Sequence, residues 1–182
     1  MSWIEVEAKI KVHNVNKVRA RIRKIAKYSG KEKKTDSYYA LDAKEKYPKK
    51  SLRIRDKGKE VEVNFKQWLS YKHGVHAKKE IEFHVSDLSG FFDLLDDFGF
   101  EKWMYKEKKT ELYKTKDGVN IELNQIKGLG WFIEIEILCK ENEVKRARRK
   151  ILEIFERLDL KKMDVEKKGY TKMLWGRRRT SR

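Results

Sequence analysis

The sequence predicts an α+β protein: an eight-stranded antiparallel β-barrel, closed as a tunnel around a charged lumen and packed outside by amphipathic helices. Three observations lead there. Several segments alternate apolar and charged residues strictly, as a strand with two unlike faces does. On the charged faces, like residues recur at i, i+2: Glu5/Glu7, Arg53/Arg55, Glu80/Glu82, Lys106/Lys108 and Glu134/Glu136. Three helical stretches carry apolar stripes that can cover the apolar strand faces. A solvated sheet would instead show a loose mixture of Lys, Glu, Thr and Gln. A barrel of eight strands satisfies both faces, with room inside for side chains or one small ligand. Charges buried there must be paired, or bound to metal or ligand.

In chain order, the first strand shows the pattern best. Ile4, Val6, Ala8, Ile10 and Val12 take one face, and Glu5, Glu7, Lys9 and Lys11 the other. Successive neighbours on a face stand about 7 Å apart. Asn14 or Asn16 then caps a helix with Val15, Val18, Ile22, Ile25 and Ala26 inward, ending at Ser29-Gly30. Residues 31–34 read as a charged loop. Thr35-Asp36-Ser37-Tyr38-Tyr39, followed by Ala40-Leu41, reads as a second strand rich in β-formers. Residues 43–50 read as a loop.

Leu52 and Ile54 alternate with Arg53 and Arg55 in a third strand. After a turn at Lys57-Gly58, Val61, Val63 and Phe65 alternate with Glu60, Glu62, Asn64 and Lys66. A loop over 70–78 holds His73, Gly74 and His76. Ile81, Phe83 and Val85 then alternate with Glu80, Glu82 and His84.

Ser86 or Asp87 caps a second helix striped by Leu88, Phe91, Phe92, Leu94, Leu95 and Phe98, with Gly99 past its end. Residues 102–115 form a long strand, and Lys116-Asp117-Gly118 a hairpin turn. Val119, Ile121 and Leu123 alternate with Asn120, Glu122 and Asn124. After Gly128-Leu129-Gly130, Trp131, Ile133, Ile135 and Ile137 alternate with Phe132, Glu134 and Glu136. A third helix spans about 141–159 and a short one lies near 164–175. The strands mostly follow one another through short turns, which favours antiparallel pairing.

At 182 residues the chain is long enough for one domain with a sizeable core, expected over 1–176. The arginine-rich end, 177–182, reads as a disordered basic tail. One cysteine, Cys139, excludes an internal disulfide framework and a multi-cysteine metal site. No run approaches the roughly 18 apolar residues of a membrane span, and no basic-then-apolar signal pattern opens the chain. A cytoplasmic protein with no membrane partner is expected. The net charge of +17 calls for a polyanionic partner.

The charged faces suit a definite chemistry. Arginine offers a planar fork to phosphate and lysine a mobile point charge. Carboxylates suit hard divalent cations such as Mg²⁺ or Mn²⁺. Metal, basic residues and polyphosphate together make a catalytic combination. No nucleophile–base pair stands out, so covalent catalysis is not expected.

Glu5-Val6-Glu7-Ala8-Lys9 resembles the ExExK signature of the CYTH superfamily, the triphosphate tunnel metalloenzymes. Further matches follow in order. Asp36-Ser37-Tyr38-Tyr39 resembles the second-strand DxYF segment, Leu52-Arg53-Ile54-Arg55 the LRxR strand, and Glu80-Ile81-Glu82 the mid-chain ExE. Leu123 through Glu136 resembles the LDxVxGLGxFxExE block, and Lys168-Gly169-Tyr170 with Leu174 the C-terminal SYxxLL segment. The superfamily includes class IV adenylyl cyclases, thiamine triphosphatases and inorganic triphosphatases. The resemblance implies a tunnel that binds the triphosphate of a small molecule.

It also implies roles. Glu5, Glu7, Glu134 and Glu136 would hold the divalent metal, Mg²⁺ or Mn²⁺. Lys9, Arg53, Arg55, Lys66, Lys106 and Lys108 would cradle the phosphates, and Glu7 and Lys9 are the candidate catalytic groups. Glu80, Glu82 and Glu122 would line the tunnel. Family analogy also admits a homodimer. Two positions depart from the pattern. Asn124 stands where the family has Asp, and its amide oxygen would join the metal ligands without charge. Thr110 stands where the family often has an arginine two residues after the lysine, and Lys106 or Lys109 would substitute, depending on register.

Within this reading the reaction is hydrolysis of a triphosphate or cyclisation of ATP to cyclic AMP and pyrophosphate. The reading from another class is a non-catalytic binder of RNA or another polyanion, supported by the net charge and the arginine-rich end. Against it, Glu pairs share the charged strand faces, which an RNA-binding face would lack.

Overall fold

In the computed structural model, residues 3–42, 46–56, 61–72 and 75–180 are described; side chains are not described at 56, 66–68, 71, 80, 179 and 180. Among the described residues, eight strands and four α-helices follow in the order β1 (Ile4–Val12), α1 (Val15–Ile25), β2 (Ala26–Ala40), β3 (Leu52–Asp56), β4 (Val61–Lys72), β5 (Val75–Val85), α2 (Leu88–Asp97), β6 (Glu101–Thr115), β7 (Asn120–Ile126), β8 (Gly130–Cys139), α3 (Val144–Arg157) and α4 (Tyr170–Thr180). The strands neighbour one another as β1-β5-β4-β3-β2-β6-β7-β8, and β8 pairs antiparallel with β1 to close the barrel. The chain divides into two compact units. The first holds Met1–Lys33, Gln67–Glu80 and Lys108–Lys167; the second holds Lys34–Lys66, Ile81–Glu107 and Lys168–Arg182. The division falls inside β2, β4, β5 and β6.

In the first unit, β1 is buried on both faces apart from Lys11. Its apolar face, from Ile4 to Val12, packs with Val18 and Ile22 of α1 and Ala147, Ile151, Ile154 and Phe155 of α3. Asn14 caps α1 by accepting from Lys17 N at 3.0 Å, which satisfies one orphan donor of the first turn. Arg21 of α1 donates to the Leu158 carbonyl at 3.1 Å, just past α3. The hairpin between β6 and β7 turns at Gly118, whose φ of 84° suits glycine.

In the second unit, Ile54, Val61, Val63 and Leu95 form a core under Phe91 and Phe92 of α2. Asp87 caps that helix by accepting from Gly90 N at 3.0 Å. A smaller apolar cluster of Ala40, Trp103 and Met104 seats Leu174 and Trp175 of α4.

Three boundaries differ from expectation. The first helix ends at Ile25, not at Ser29-Gly30, because Ala26 is already extended and buried and Tyr28 stacks edge-on against Tyr113 at 5.5 Å. Residues 31–34, expected as a loop, therefore belong to β2. Most of the loop expected over 70–78 is strand. Val75 and Ala77 pack in the first core, and Ala77 is opposite Val6 of β1. The tail expected to be disordered from 177 is helical as far as Thr180, and Arg178 donates to the Trp103 carbonyl at 2.8 Å. The turn expected at Lys57-Gly58, His73 and Gly74, and the last two residues lie outside the described residues. Among those described, no helix is long and apolar enough to cross a membrane.

Candidate active site

Residues directly opposite in an antiparallel pair share a face. The register therefore assembles the first unit's charged face. Glu7 of β1 lies opposite His76 of β5 on one side and Glu136 of β8 on the other. Lys9 lies opposite Glu134, Glu134 opposite Glu122, and Asn124 opposite Thr110 of β6. Glu5, Glu7, Lys9 and Glu134 are exposed by only 3, 7, 2 and 6%. The helices cover the other face of these strands, so this burial means the charged face is itself enclosed.

Five carboxylates (Glu5, Glu7, Glu122, Glu134, Glu136) meet three lysines (Lys9, Lys78, Lys108) on this face. Lys78 Nζ donates to Glu7, and Lys108 Nζ donates to Glu122 at 2.7 Å. Lys9 Nζ stands 4.0 Å from Glu134. Burial, then the nearby Glu7, pushes Glu134 above the usual carboxylate range, with Lys9 and Lys108 opposing and Glu122 adding to the push. Burial, then Lys78 and Lys9, lowers His76 to about 4, so this imidazole is neutral at pH 7.

The second unit is organised around Asp36. Its carboxylate accepts from Arg55 Nε at 2.7 Å and from Arg55 Nη2 at 3.2 Å, a two-pronged pair. Lys106 Nζ stands 2.8 Å from the same carboxylate and donates to Tyr38 Oη at 2.9 Å. Arg53 donates to Glu62 at 2.7 Å. Burial opposes the charge on Asp36, but Lys106 and the Arg55 hydrogen bond hold its carboxyl well below the usual range. Among the described side chains, Arg53, Arg55 and Lys106 outnumber Asp36 and Glu62 on this face.

The structure thus gathers Glu5, Glu7, Lys9, Glu122, Asn124, Glu134, Glu136 and Lys108 in one unit. It gathers Arg53, Arg55 and Lys106 in the other. Lys106, Lys108 and Thr110 are buried together on one face of β6, and Lys109 is exposed, so Lys109 does not take the inward place of Thr110. The side chains of Lys66 and Glu80 lie outside the described residues. Glu82, expected to line the tunnel, is exposed instead: Ile81 and Phe83 beside it are exposed too, so this end of β5 is open on both faces. The alternation in the sequence leaves His76 in a loop and assigns no role to Lys78, Asp36, Tyr38 or Glu62. The i, i+2 spacing of His76 and Lys78, and of Asp36 and Tyr38, was the available signal.

Among the described residues, no group of three or more His, Cys, Asp or Glu side chains converges as a metal-ligand set. The donor chemistry of the first unit nevertheless fits a hard cation. Glu7 and Glu134 are buried oxygen donors whose charges oppose one another, and a cation relieves that opposition.

The first unit thus encloses a strand face rich in acids, and the second carries one rich in guanidinium and ammonium groups. The chain belongs to the CYTH family, whose domain matches residues 3–170. It is 28% identical to a protein of Methanocaldococcus jannaschii provisionally named an adenylate cyclase, over 93% of this chain and 98% of that one. Two solved structures from Pyrococcus horikoshii are also similar. The PH1012 protein is 29% identical, with a TM-score of 0.76 over 92% of this chain and 98% of that one. The PH1819 protein is 27% identical, with a TM-score of 0.79 over 95% and 99%.

Proposed function

We propose that the chain is a divalent-metal-dependent enzyme acting on the triphosphate group of a nucleotide or other triphosphate. The observation that carries this reading is the burial of Glu7 and Glu134 beside Lys9 on a strand face shielded from water. Charges buried at such cost are kept where a charged ligand completes them. The family and the name given to the Methanocaldococcus relative support a triphosphate as that ligand.

When bound, a divalent cation supplies charge neutralisation and polarisation at phosphate oxygens. Glu7 and Glu134, with Glu5 and Glu136, are the residues to hold it. Lys9 and Lys108 neutralise phosphate oxygens. In the second unit Arg53, Arg55 and Lys106 bind phosphate, and Asp36 and Glu62 fix the direction of those cations before substrate arrives. In hydrolysis the attacking group is water; in cyclisation it is the ribose 3′-hydroxyl, with pyrophosphate leaving.

The test is phosphate release from tripolyphosphate, ATP and thiamine triphosphate with Mg²⁺, Mn²⁺ or EDTA, with cyclic AMP measured in parallel. Metal-dependent orthophosphate release that Glu7→Gln loses supports a triphosphatase. Cyclic AMP with pyrophosphate supports a cyclase. No product from any substrate overturns the reading.

One observation favours a polyanion-binding role as the second reading. Lys145, Arg146 and Arg149 are exposed near the N-terminus of α3, where the helix dipole and i, i+4 repulsion disfavour cations. Salt-dependent RNA binding by a protein without triphosphate activity would favour it.

A further inference from the structure

The geometry points to Asn124 and Thr110 as a neutral clamp that positions the Glu134 carboxylate for a cation, braced against Glu122, rather than to Asn124 as a metal ligand; this rests on the metal-dependent reading above. Thr110 and Asn124 lie opposite each other on β6 and β7, and both are buried. Thr110 Oγ1 donates to Asn124 Oδ1 at 2.7 Å. Asn124 Nδ2 donates to Glu122 Oε2 and to Glu134 Oε2, each at 3.1 Å.

An amide nitrogen carries two protons, and here each goes to a different carboxylate. The amide oxygen takes the single hydroxyl proton of Thr110. Flipping the amide would set its oxygen against two carboxylates, so its orientation is fixed. Oδ1 spends one of its two lone pairs on Thr110, while both Nδ2 protons face the carboxylates, so it is the nitrogen side of the amide that meets Glu122 and Glu134.

The chemistry explains why an amide suits this place. Lys108 and Lys9 also approach Glu122 and Glu134, but a cation that orients a carboxylate cancels the charge a metal needs. An amide orients it and leaves the charge intact. Asn124 is therefore a positioning residue that acts through Glu134, with Glu122 as its second anchor. Thr110 in turn positions Asn124.

The test is Mn²⁺ binding to the full chain without substrate, by titration calorimetry, for wild type, Thr110→Val, Thr110→Ser, Asn124→Leu and Glu134→Gln. Thr110→Val keeps the side-chain shape and removes the donor; Thr110→Ala replaces it if the valine variant does not fold, as read by circular dichroism. The clamp predicts that Thr110→Val weakens Mn²⁺ binding by about tenfold, the scale of lost outer-shell support. Asn124→Leu weakens it at least as much, and Thr110→Ser restores it. In turnover assays the Mn²⁺ concentration for half-activation rises in Thr110→Val more than kcat at saturating Mn²⁺ falls. Mn²⁺ binding by Thr110→Val that equals or exceeds wild type overturns the clamp, because the clamp needs that hydroxyl to hold the amide. Wild type that binds no Mn²⁺, or Glu134→Gln that binds it as wild type does, overturns the metal reading itself and the clamp with it.

Discussion

Lys106 Nζ stands 2.8 Å from the Asp36 carboxylate, with both side chains buried, and Arg55 grips the same carboxylate from its opposite strand. One acid thus fixes two of the cations proposed to bind phosphate. Removing one partner of a buried ion pair costs about 3–5 kcal/mol, because the charge left behind is uncompensated. Asp36→Asn should lower stability on that scale in urea denaturation at pH 7. The pH dependence has a definite sign. Asp36 titrates lower folded than unfolded, so its contribution is complete above the ordinary aspartate value and fades as pH falls below it. Between pH 5 and pH 2, Asp36→Asn should therefore lose less stability than wild type. An equal loss in both proteins would remove Asp36 as the anchor.

Arg55→Lys keeps the charge and loses the fork. The 2.7 and 3.2 Å pair to Asp36 needs two donors in one plane, which an ammonium does not offer. The expected cost is about 1.5–3 kcal/mol in chemical denaturation. A lysine variant as stable as wild type would show that charge alone matters there.

Glu134→Gln should separate stability from activity. Burial, Glu7 and Glu122 raise Glu134, so its ionised form opposes folding at neutral pH. In EDTA at pH 7 the variant should melt higher, by on the order of 1 kcal/mol or about 2–4 °C. Its metal-dependent phosphate release should fall by about 100-fold or more. A lower melting temperature in EDTA would contradict the crowding of carboxylates.

His76 carries a pH signature of its own. It titrates near 4 when folded and near 6.5 when unfolded, so the unfolded chain binds its proton first. Its contribution is present above pH 6.5 and lost as pH falls toward 4. His76→Gln should lose less stability over that window. An NMR titration of the His76 ring should show a midpoint near 4; a midpoint above 6 would place the ring in a wetter setting than β5 gives it.

Much of this architecture was legible in the residues. Strict alternation in Ile4–Val12 and Trp131–Ile137 gives strands β1 and β8 directly, because a strand's period of two leaves no other reading. Glu5, Glu7, Lys9, Glu134 and Glu136 followed from it. Asn14 and Asp87 marked helix starts by their chemistry. Other parts were hidden for physical reasons. Gly30 interrupts β2 and reads as a helix stop, yet pairing and the Tyr28–Tyr113 contact carry the strand through it. Val75 and Ala77 look like loop beside Gly74 and two lysines; only contact with β1 makes them core.

What the sequence by itself determined is which residues share a face: that follows from local geometry, and each strand carries it alone. Which faces meet was decided by the tertiary structure. Thr110 and Asn124 look like two separate departures from a family pattern, fourteen residues apart. The β6–β7 register makes them one hydrogen-bonded pair. Asp36 looks like one acid in a weak strand, and pairing with β3 and the approach of Lys106 make it a shared counter-ion. Hydrogen bonds and ion pairs act over a few ångströms, so such partners exist only once register has brought distant segments together.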